Sequence, residues 1–402
     1  MLVQKYGGSS VATPEKIRYV AGKIKGRVEE GKKLVVVVSA MGKSTNALLA
    51  LGGEVSSSPS PREMDMLLST GEQVSSALLA MALDDLGVAA MSCNAFQLEM
   101  TTTGSFSNAR IVDMNLGKLR GLLEFRDVLV VTGFQGINPE GDVTTLGRGG
   151  SDTSAVAIAA KCGCPCEIYS DVDGIYTCDP HAVKNARKLE YITFDEMLEL
   201  SSLGAKVLHS RAVEIAKKYS VRLYAPPPSP MKGDERGEYP SRMARTARGH
   251  GVTADSNQMR VNIARMPGSM EAMSALFREL ADRGVNVDMI STVNENGHSH
   301  LTFTVVDAGG KTVLETVKST LAPWEGWAVA EDRNVSKVSA VGVGMKSAPG
   351  VAARFFTALG RKDVRMLGTT TSEIKISALV PREQEGEALQ ALVDEFGLGD
   401  RG

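Results

Sequence analysis

A surplus of charge of either sign is missing from this sequence. Its 45 Lys and Arg face 47 Asp and Glu, a formal net charge of -2. That balance offers neither nucleic acid nor an anionic membrane an electrostatic hold, and neither is expected as a partner. Long apolar runs are missing too: no uninterrupted run approaches the roughly 18–20 residues of a membrane span. The start of the chain carries no basic and apolar leader, so a cytoplasmic location is expected. Cysteine is scarce and odd in number, with five residues in all: Cys93, Cys162, Cys164, Cys166 and Cys178. Free thiols in a reducing compartment follow from that count. Cys162-Gly163-Cys164-Pro165-Cys166 lacks the C-x₂-C spacing of a structural zinc knuckle, and no metal site is expected there. Two nucleotide motifs are absent as well. Gly42-Lys43-Ser44 imitates the end of a Walker A loop, but the glycine needed five residues earlier is Val37. The glycine turn after Lys5 does not read G-x-G-x-x-G.

What is present fits an ordinary globular protein, with 43% apolar and 23% charged residues. A length of 402 residues predicts two or three domains. The N-terminal half alternates strand and helix signals. Leu34 to Ser39 and Val128 to Thr132 are continuous apolar runs, the mark of strands buried on both faces of a parallel sheet. Long helices are expected over Arg62 to Leu86 and Asn108 to Glu124, and another over Ser151 to Lys161. This is an α/β layered domain with a mostly parallel sheet, here placed at 1–224. Residues 225–248 hold a proline cluster and read as a linker, partly polyproline-like.

The C-terminal part repeats itself. Pro267-Gly268 and Pro349-Gly350 each precede a helix pattern, a strand, a second strand and a second helix, the order of a ferredoxin-like unit. The first copy has three more residues between Pro-Gly and its phenylalanine than the second. The second copy runs out of chain one strand short, and residues 250–254 are expected to supply that strand. Two ferredoxin-like (βαββαβ) units are therefore placed at 260–333, and at 249–259 plus 334–402.

Four stretches carry chemistry, each at or near the C-terminal end of a strand, where open α/β sheets bind ligands. In the first, Lys5-Tyr6-Gly7-Gly8-Ser9-Ser10 lies between a strand and a helix capped by Thr13 with Pro14 at its first position. It reads as a phosphate-binding turn with a full positive charge, or as a plain tight turn with an exposed lysine. The second is Ser39-Ala40-Met41-Gly42. In the third, Arg148 can clamp a carboxylate, Gly149 and Gly150 permit close approach, and Asp152 is an acid at a helix N-terminus. Arg148, Ser151 and Asp152 together can hold a zwitterion, which is favoured over a turn capped by Ser151. The fourth is the acidic run Ser170 to Tyr176.

These stretches, with Gly71-Glu72, Gly133-Phe134-Gln135-Gly136 and Gly204 to His209, resemble aspartate kinase of the amino acid kinase superfamily. The resemblance runs from residue 2 to about 396, and the C-terminal repeat resembles that family's tandem ACT units. It implies transfer of the γ-phosphoryl of ATP to the side-chain carboxylate of L-aspartate, the first step toward lysine, threonine and methionine. It implies ATP and Mg²⁺ carried on ATP, and no metal held by the protein. The catalytic residues it implies are Lys5, Arg148 and Asp152. Implied ATP contacts are Lys5, Gly7, Gly8, Ser9, Ser170, Asp171, Tyr176, Asp179 and Lys206. Implied aspartate contacts are Ser39, Thr45, Glu72, Phe134, Arg148, Ser151 and Asp152. An inhibitory amino acid, threonine or lysine or both, is expected at Met266, Pro267, Gly268, Asn286, Asp288, Pro349, Gly350 and Thr371. A dimer at least, through the ACT units, is implied. Two departures stand out: Ser210 where proline is frequent, and the extra residues after Pro267-Gly268. The competing readings are a kinase of the same fold for glutamate, N-acetylglutamate or UMP, and a non-catalytic amino-acid sensor.

Overall fold

The computed structural model describes residues 1–170, 174–203, 208–226, 241–244, 250–295, 297–307, 310–342 and 350–400, with 241–244 and 250 as backbone alone. Asp171, Lys206, Pro349 and most of the proline-rich segment lie outside the described residues. The chain divides into two compact units. The first comprises Met1–Ile175, Lys188–Ser202 and Lys206–Gly249; the second comprises Tyr176–Arg187, Leu203–Ala205 and His250–Gly402.

The elements of the first unit are β1 (Leu2–Tyr6), α1 (Pro14–Glu29), β2 (Leu34–Val38), α2 (Ser44–Val55), α3 (Pro61–Asp85), β3 (Ala90–Cys93), α4 (Ala95–Leu98), β4 (Thr101–Thr102) and β5 (Ile111–Asp113). Next come α5 (Leu116–Phe125), β6 (Val128–Thr132), β7 (Gln135–Ile137), β8 (Val143–Thr145), α6 (Gly150–Cys162) and β9 (Cys166–Tyr169). The last are β10 (Tyr191–Thr193), α7 (Phe194–Ser202), α8 (Ser210–Tyr219), β11 (Leu223–Ala225) and β12 (Ser241–Ala244).

Eight strands form the main sheet in the order β10-β12-β11-β9-β1-β2-β6-β3. From β11 to β3 every pairing is parallel. Every residue of β2 and β6 is buried, because helices cover both faces of the sheet. The first crossover carries β1 to β2 on one side, and β9 later takes the other side, so the sheet's topological switch lies at β1. A crevice therefore opens beyond the C-terminal ends of β1, β2, β6 and β9. A small second sheet, β5-β4-β7-β8, flanks it.

Two expectations need correction. Asn108 to Glu124 is not one helix: Ile111–Asp113 is a strand, and α5 begins at Leu116 behind an Asn115 cap. The 225–248 segment is not all linker, because β12 returns to the sheet antiparallel to β11 and parallel to β10. α3 is, by length and composition, long and apolar enough to cross a membrane, but half of its most apolar stretch is buried inside the protein. Its buried face carries Asp65 and Glu72, which suits a core helix that delivers polar groups.

The second unit holds β13 (His250–Pro267), α9 (Met270–Asp282), β14 (Val287–Glu295), β15 (His298–Val306), α10 (Gly310–Leu321) and β16 (Ala328–Gly342). It ends with α11 (Val351–Arg361), β17 (Gly368–Thr371), β18 (Lys375–Pro381) and α12 (Glu385–Phe396). The six strands form one sheet, β14-β15-β13-β16-β18-β17. The strand expected at 250–254 is there. His250 to Ala254 pair antiparallel with Gly342 to Val338, while Arg260 to Ala264 pair with Asp332 to Ala328. Each half of the sheet thus has the 4-1-3-2 strand order of a ferredoxin-like unit, and β13 and β16 run through both halves. Each half has its own core, one around Phe303 and Leu276, the other around Phe355 and Leu392.

Candidate active site

The crevice holds a cavity of about 260 Å³, lined by Lys5, Gly8, Ser39, Ala40, Gly42, Thr45, Glu72, Phe134, Gly147, Arg148, Gly149, Gly150, Ser151 and Asp152. Nine residues predicted from sequence converge here: Lys5, Gly8, Ser39, Thr45, Glu72, Phe134, Arg148, Ser151 and Asp152. They come from five separate segments, and the topology of the sheet brings them together.

Lys5 is the penultimate residue of β1, and Asp152 lies in the first turn of α6. Their charged atoms are 2.7 Å apart, with side chains 11% and 12% exposed. Asp152 Oδ1 thus faces the Lys5 ammonium. Ser151 does not cap α6. Gly149 is the cap residue, at φ 69°, and no side chain caps the helix. The reason for glycine there is spatial as well: a Cβ on Gly149 would lie 2.2 Å from the His209 ring. Similarly, a Cβ on Gly8 would lie 2.7 Å from the Ala40 carbonyl oxygen, so the two loops close on each other only without one.

Glu72 supplies the acid that the site leaves open. It is buried on α3, and its Oε1 accepts the Ala40 N–H at 2.9 Å. Its Oε2 is buried with no hydrogen-bond partner among the described residues. Burial raises its pKa to about 7, against the lowering effect of the Ala40 hydrogen bond. A bound ammonium group would complete this carboxylate. Arg148 is exposed at the mouth between Gly147 at φ 75° and Gly149, and makes no hydrogen bond or ion pair among the described residues. Phe134 holds a left-handed conformation, φ 71°, rare for an aromatic residue. Its N–H donates to Ser154 Oγ at 3.1 Å and its carbonyl accepts from Leu146 N–H at 2.9 Å, which fixes the ring at the cavity wall. His209 is half-buried, and desolvation lowers its pKa although Asp152 opposes the shift.

Other predicted positions stand elsewhere. Gly7 and Ser9 flank the lining residue Gly8, and the Gly7 N–H donates to the Tyr169 carbonyl at 3.2 Å. Ser170 directly follows β9. Tyr176 and Asp179 belong to the second compact unit, where Tyr176 packs on the core around Phe355. Asp179 Oδ1 accepts the His181 N–H at 2.9 Å.

In the repeat, Pro267-Gly268 does not present the opening amides of a helix. α9 starts at Met270 behind a Ser269 cap, and the Gly268 N–H donates to the Gly297 carbonyl at 3.1 Å. Met266 is fully buried, and Asn286 is exposed. Asp288 is paired with the buried Lys337. Gly350 caps α11, and Thr371 ends β17.

Residues 1–224 match the amino acid kinase family, and residues 338–396 match an ACT domain. The chain is 43% identical to an aspartokinase of Corynebacterium efficiens, over 99% of this chain and 96% of the relative. It is 42% identical to aspartokinase 2 of Bacillus subtilis, over 99% of this chain and 98% of the relative. The chain belongs to the aspartokinase family. Aspartokinase folds match it in three dimensions as well. A solved E. coli aspartokinase III superposes with a TM-score of 0.82 at 24% identity, covering 99% of this chain and 100% of that one. The aspartate kinase of Synechocystis gives 0.54 at 39% identity, covering 99% and 69%.

Two residues beside the site, Asp65 and His209, were given no role from the sequence. Asp65 lies seven positions before Glu72 and so on the same helix face; an acid inside an apolar helix was the available signal. His209 stood in a quoted motif without a role.

Proposed function

We propose that this chain transfers the γ-phosphoryl group of ATP to the side-chain carboxylate of L-aspartate, giving 4-phospho-L-aspartate and ADP. A carboxylate oxygen forms the new P–O bond as the bond to the β-phosphate bridging oxygen breaks and ADP leaves with that electron pair. The acceptor is already ionised at neutral pH, so no general base is required. Positioning and charge do the rest. Lys5 meets charge on the transferring group, and the uncapped N-terminus of α6 adds partial positive charge beside it. Arg148 clamps a carboxylate of aspartate, and the open Glu72 oxygen takes its ammonium. ATP brings Mg²⁺ with it, and the reaction is placed in the cytoplasm.

The observation that carries this reading is a single cavity holding a buried lysine, an exposed arginine and a buried carboxylate with one oxygen unsatisfied. That set suits an acidic amino acid beside a polyphosphate. ADP release from MgATP should depend on L-aspartate and not on L-glutamate, N-acetylglutamate or UMP. Release with one of the others, and none with aspartate, contradicts the proposal.

The second unit acts, in the same reading, as an inhibitory sensor for threonine, lysine or both. Pairing of two such units is supported by β14, an edge strand with Ile290 53% and Val293 60% exposed. Either amino acid should lower the aspartate-dependent rate; no effect of either at millimolar concentration contradicts this part.

A further inference from the structure

We propose that Asp65 is a positioning residue for substrate specificity, fixing the base of the Arg148 loop against Glu72; the inference rests on Arg148 being the carboxylate clamp. Asp65 is wholly buried on α3. Its Oδ2 accepts the backbone N–H groups of Ser107 and Thr145, both at 2.8 Å. Its Oδ1 accepts the Thr145 hydroxyl at 2.8 Å and the Ser107 hydroxyl at 3.3 Å. Four donors fill the acceptor capacity of a carboxylate.

Both anchored segments form the base of the clamp. Thr145 ends β8, three residues before Arg148. Ser107 sits in a left-handed conformation, φ 62°, and its carbonyl oxygen would lie 3.0 Å from a Cβ on Gly147. Arg211 ties the same two segments from outside: its guanidinium donates to the Leu146 carbonyl at 3.0 Å and to the Asn108 side chain at 2.5 Å. Asp65 and Glu72 lie two turns apart on the buried face of one continuous helix. α3 therefore acts as a ruler between the group that takes the ammonium and the loop that takes a carboxylate. That spacing distinguishes one amino acid from another, and a shift of about 1 Å in it can cost roughly 10²-fold.

Asparagine can keep the arrangement. Its oxygen serves the two backbone N–H groups, and its amide donates to the two hydroxyls, which rotate to accept. Alanine leaves the buried Thr145 N–H and the part-buried Ser107 N–H without this acceptor.

The test is steady-state kinetics of the full chain for Asp65→Ala, Asp65→Asn, Arg148→Ala and Asp65→Ala/Arg148→Ala. Asp65→Ala should raise KM for aspartate about 10-fold or more while KM for ATP stays within about 2-fold. Asp65→Asn should stay within about 3-fold of the parent, and the double variant within about 2-fold of Arg148→Ala alone. A fall in kcat or Tm with unchanged KM for aspartate overturns the proposal, as do effects that multiply in the double variant. If Asp65→Ala does not fold, Ser107→Ala/Thr145→Val removes only the two hydroxyls and should still raise KM for aspartate; no rise overturns it. An unchanged KM in Arg148→Ala removes the clamp and this proposal together. A raised KM there with an unaffected Asp65→Ala removes the positioning role alone.

Discussion

Lys5 Nζ and Asp152 Oδ1 stand 2.7 Å apart in a region where both side chains are about nine-tenths buried. This contact compensates the main cation of the site before any phosphate arrives. A buried pair of this kind is costly to break from one side, because the survivor keeps an unpaired charge. Lys5→Ala should therefore lower kcat by about 10²–10³ through the loss of one charge-stabilising contact. Lys5→Arg should not restore it, since a planar fork replaces a point charge. Near-normal kcat in a folded Lys5→Ala protein would remove Lys5 from the reaction.

Arg148 should act on one substrate only. Its guanidinium is exposed at the cavity mouth and matches a carboxylate in shape. Arg148→Ala should raise KM for aspartate well above any change in KM for ATP. A rise confined to ATP places the residue in the other half of the site.

Glu72 gives the site a pH dependence with a definite sign. Burial lifts its carboxyl to about 7, and only the ionised form pairs with an ammonium. The free enzyme should lose kcat/KM for aspartate as pH falls through about 7, following one proton. Folding linkage has the complementary sign. The folded pKa lies above the unfolded value, so this group's stabilisation is complete below about 4.5 and is lost as pH rises through about 7. Glu72→Gln should flatten the kinetic limb; an identical limb in that variant assigns it to another group.

Asp288 has two readings that variants separate. It pairs with Lys337, whose side chain is 4% exposed, so Asp288→Ala strands a buried ammonium. If Asp288 also contacts an effector, Asp288→Ala and Asp288→Ala/Lys337→Met should both lose inhibition. Recovery of inhibition in the double variant shows that the aspartate serves the ion pair alone.

Much of this arrangement was legible because local signals agreed. Apolar runs such as Leu34 to Val38 marked buried strands, and glycine turns after them marked the ligand edge. The strand at 250–254 followed from an incomplete repeat. The misreadings have physical causes. Asn108 to Glu124 ends in the helix α5, but Ile111–Asp113 before it is a strand, and only the β4–β5 pairing makes that short segment one. Ser269 was hidden as a cap by the adjacent Pro267-Gly268. The Lys5–Asp152 pair links residues far apart in sequence, and no local pattern announces which acid meets the lysine. Asp65 was missed because its partners, Ser107 and Thr145, reach it only through the fold.

The most direct test of the central claim is trapping the acyl phosphate. Purified chain, MgATP and L-aspartate are incubated with hydroxylamine, and hydroxamate and ADP are measured together. The proposed reaction predicts aspartate β-hydroxamate and ADP in equal amounts, and both about 10²–10³-fold slower in Lys5→Ala. ADP released without hydroxamate, or hydroxamate formed equally with L-glutamate, contradicts it.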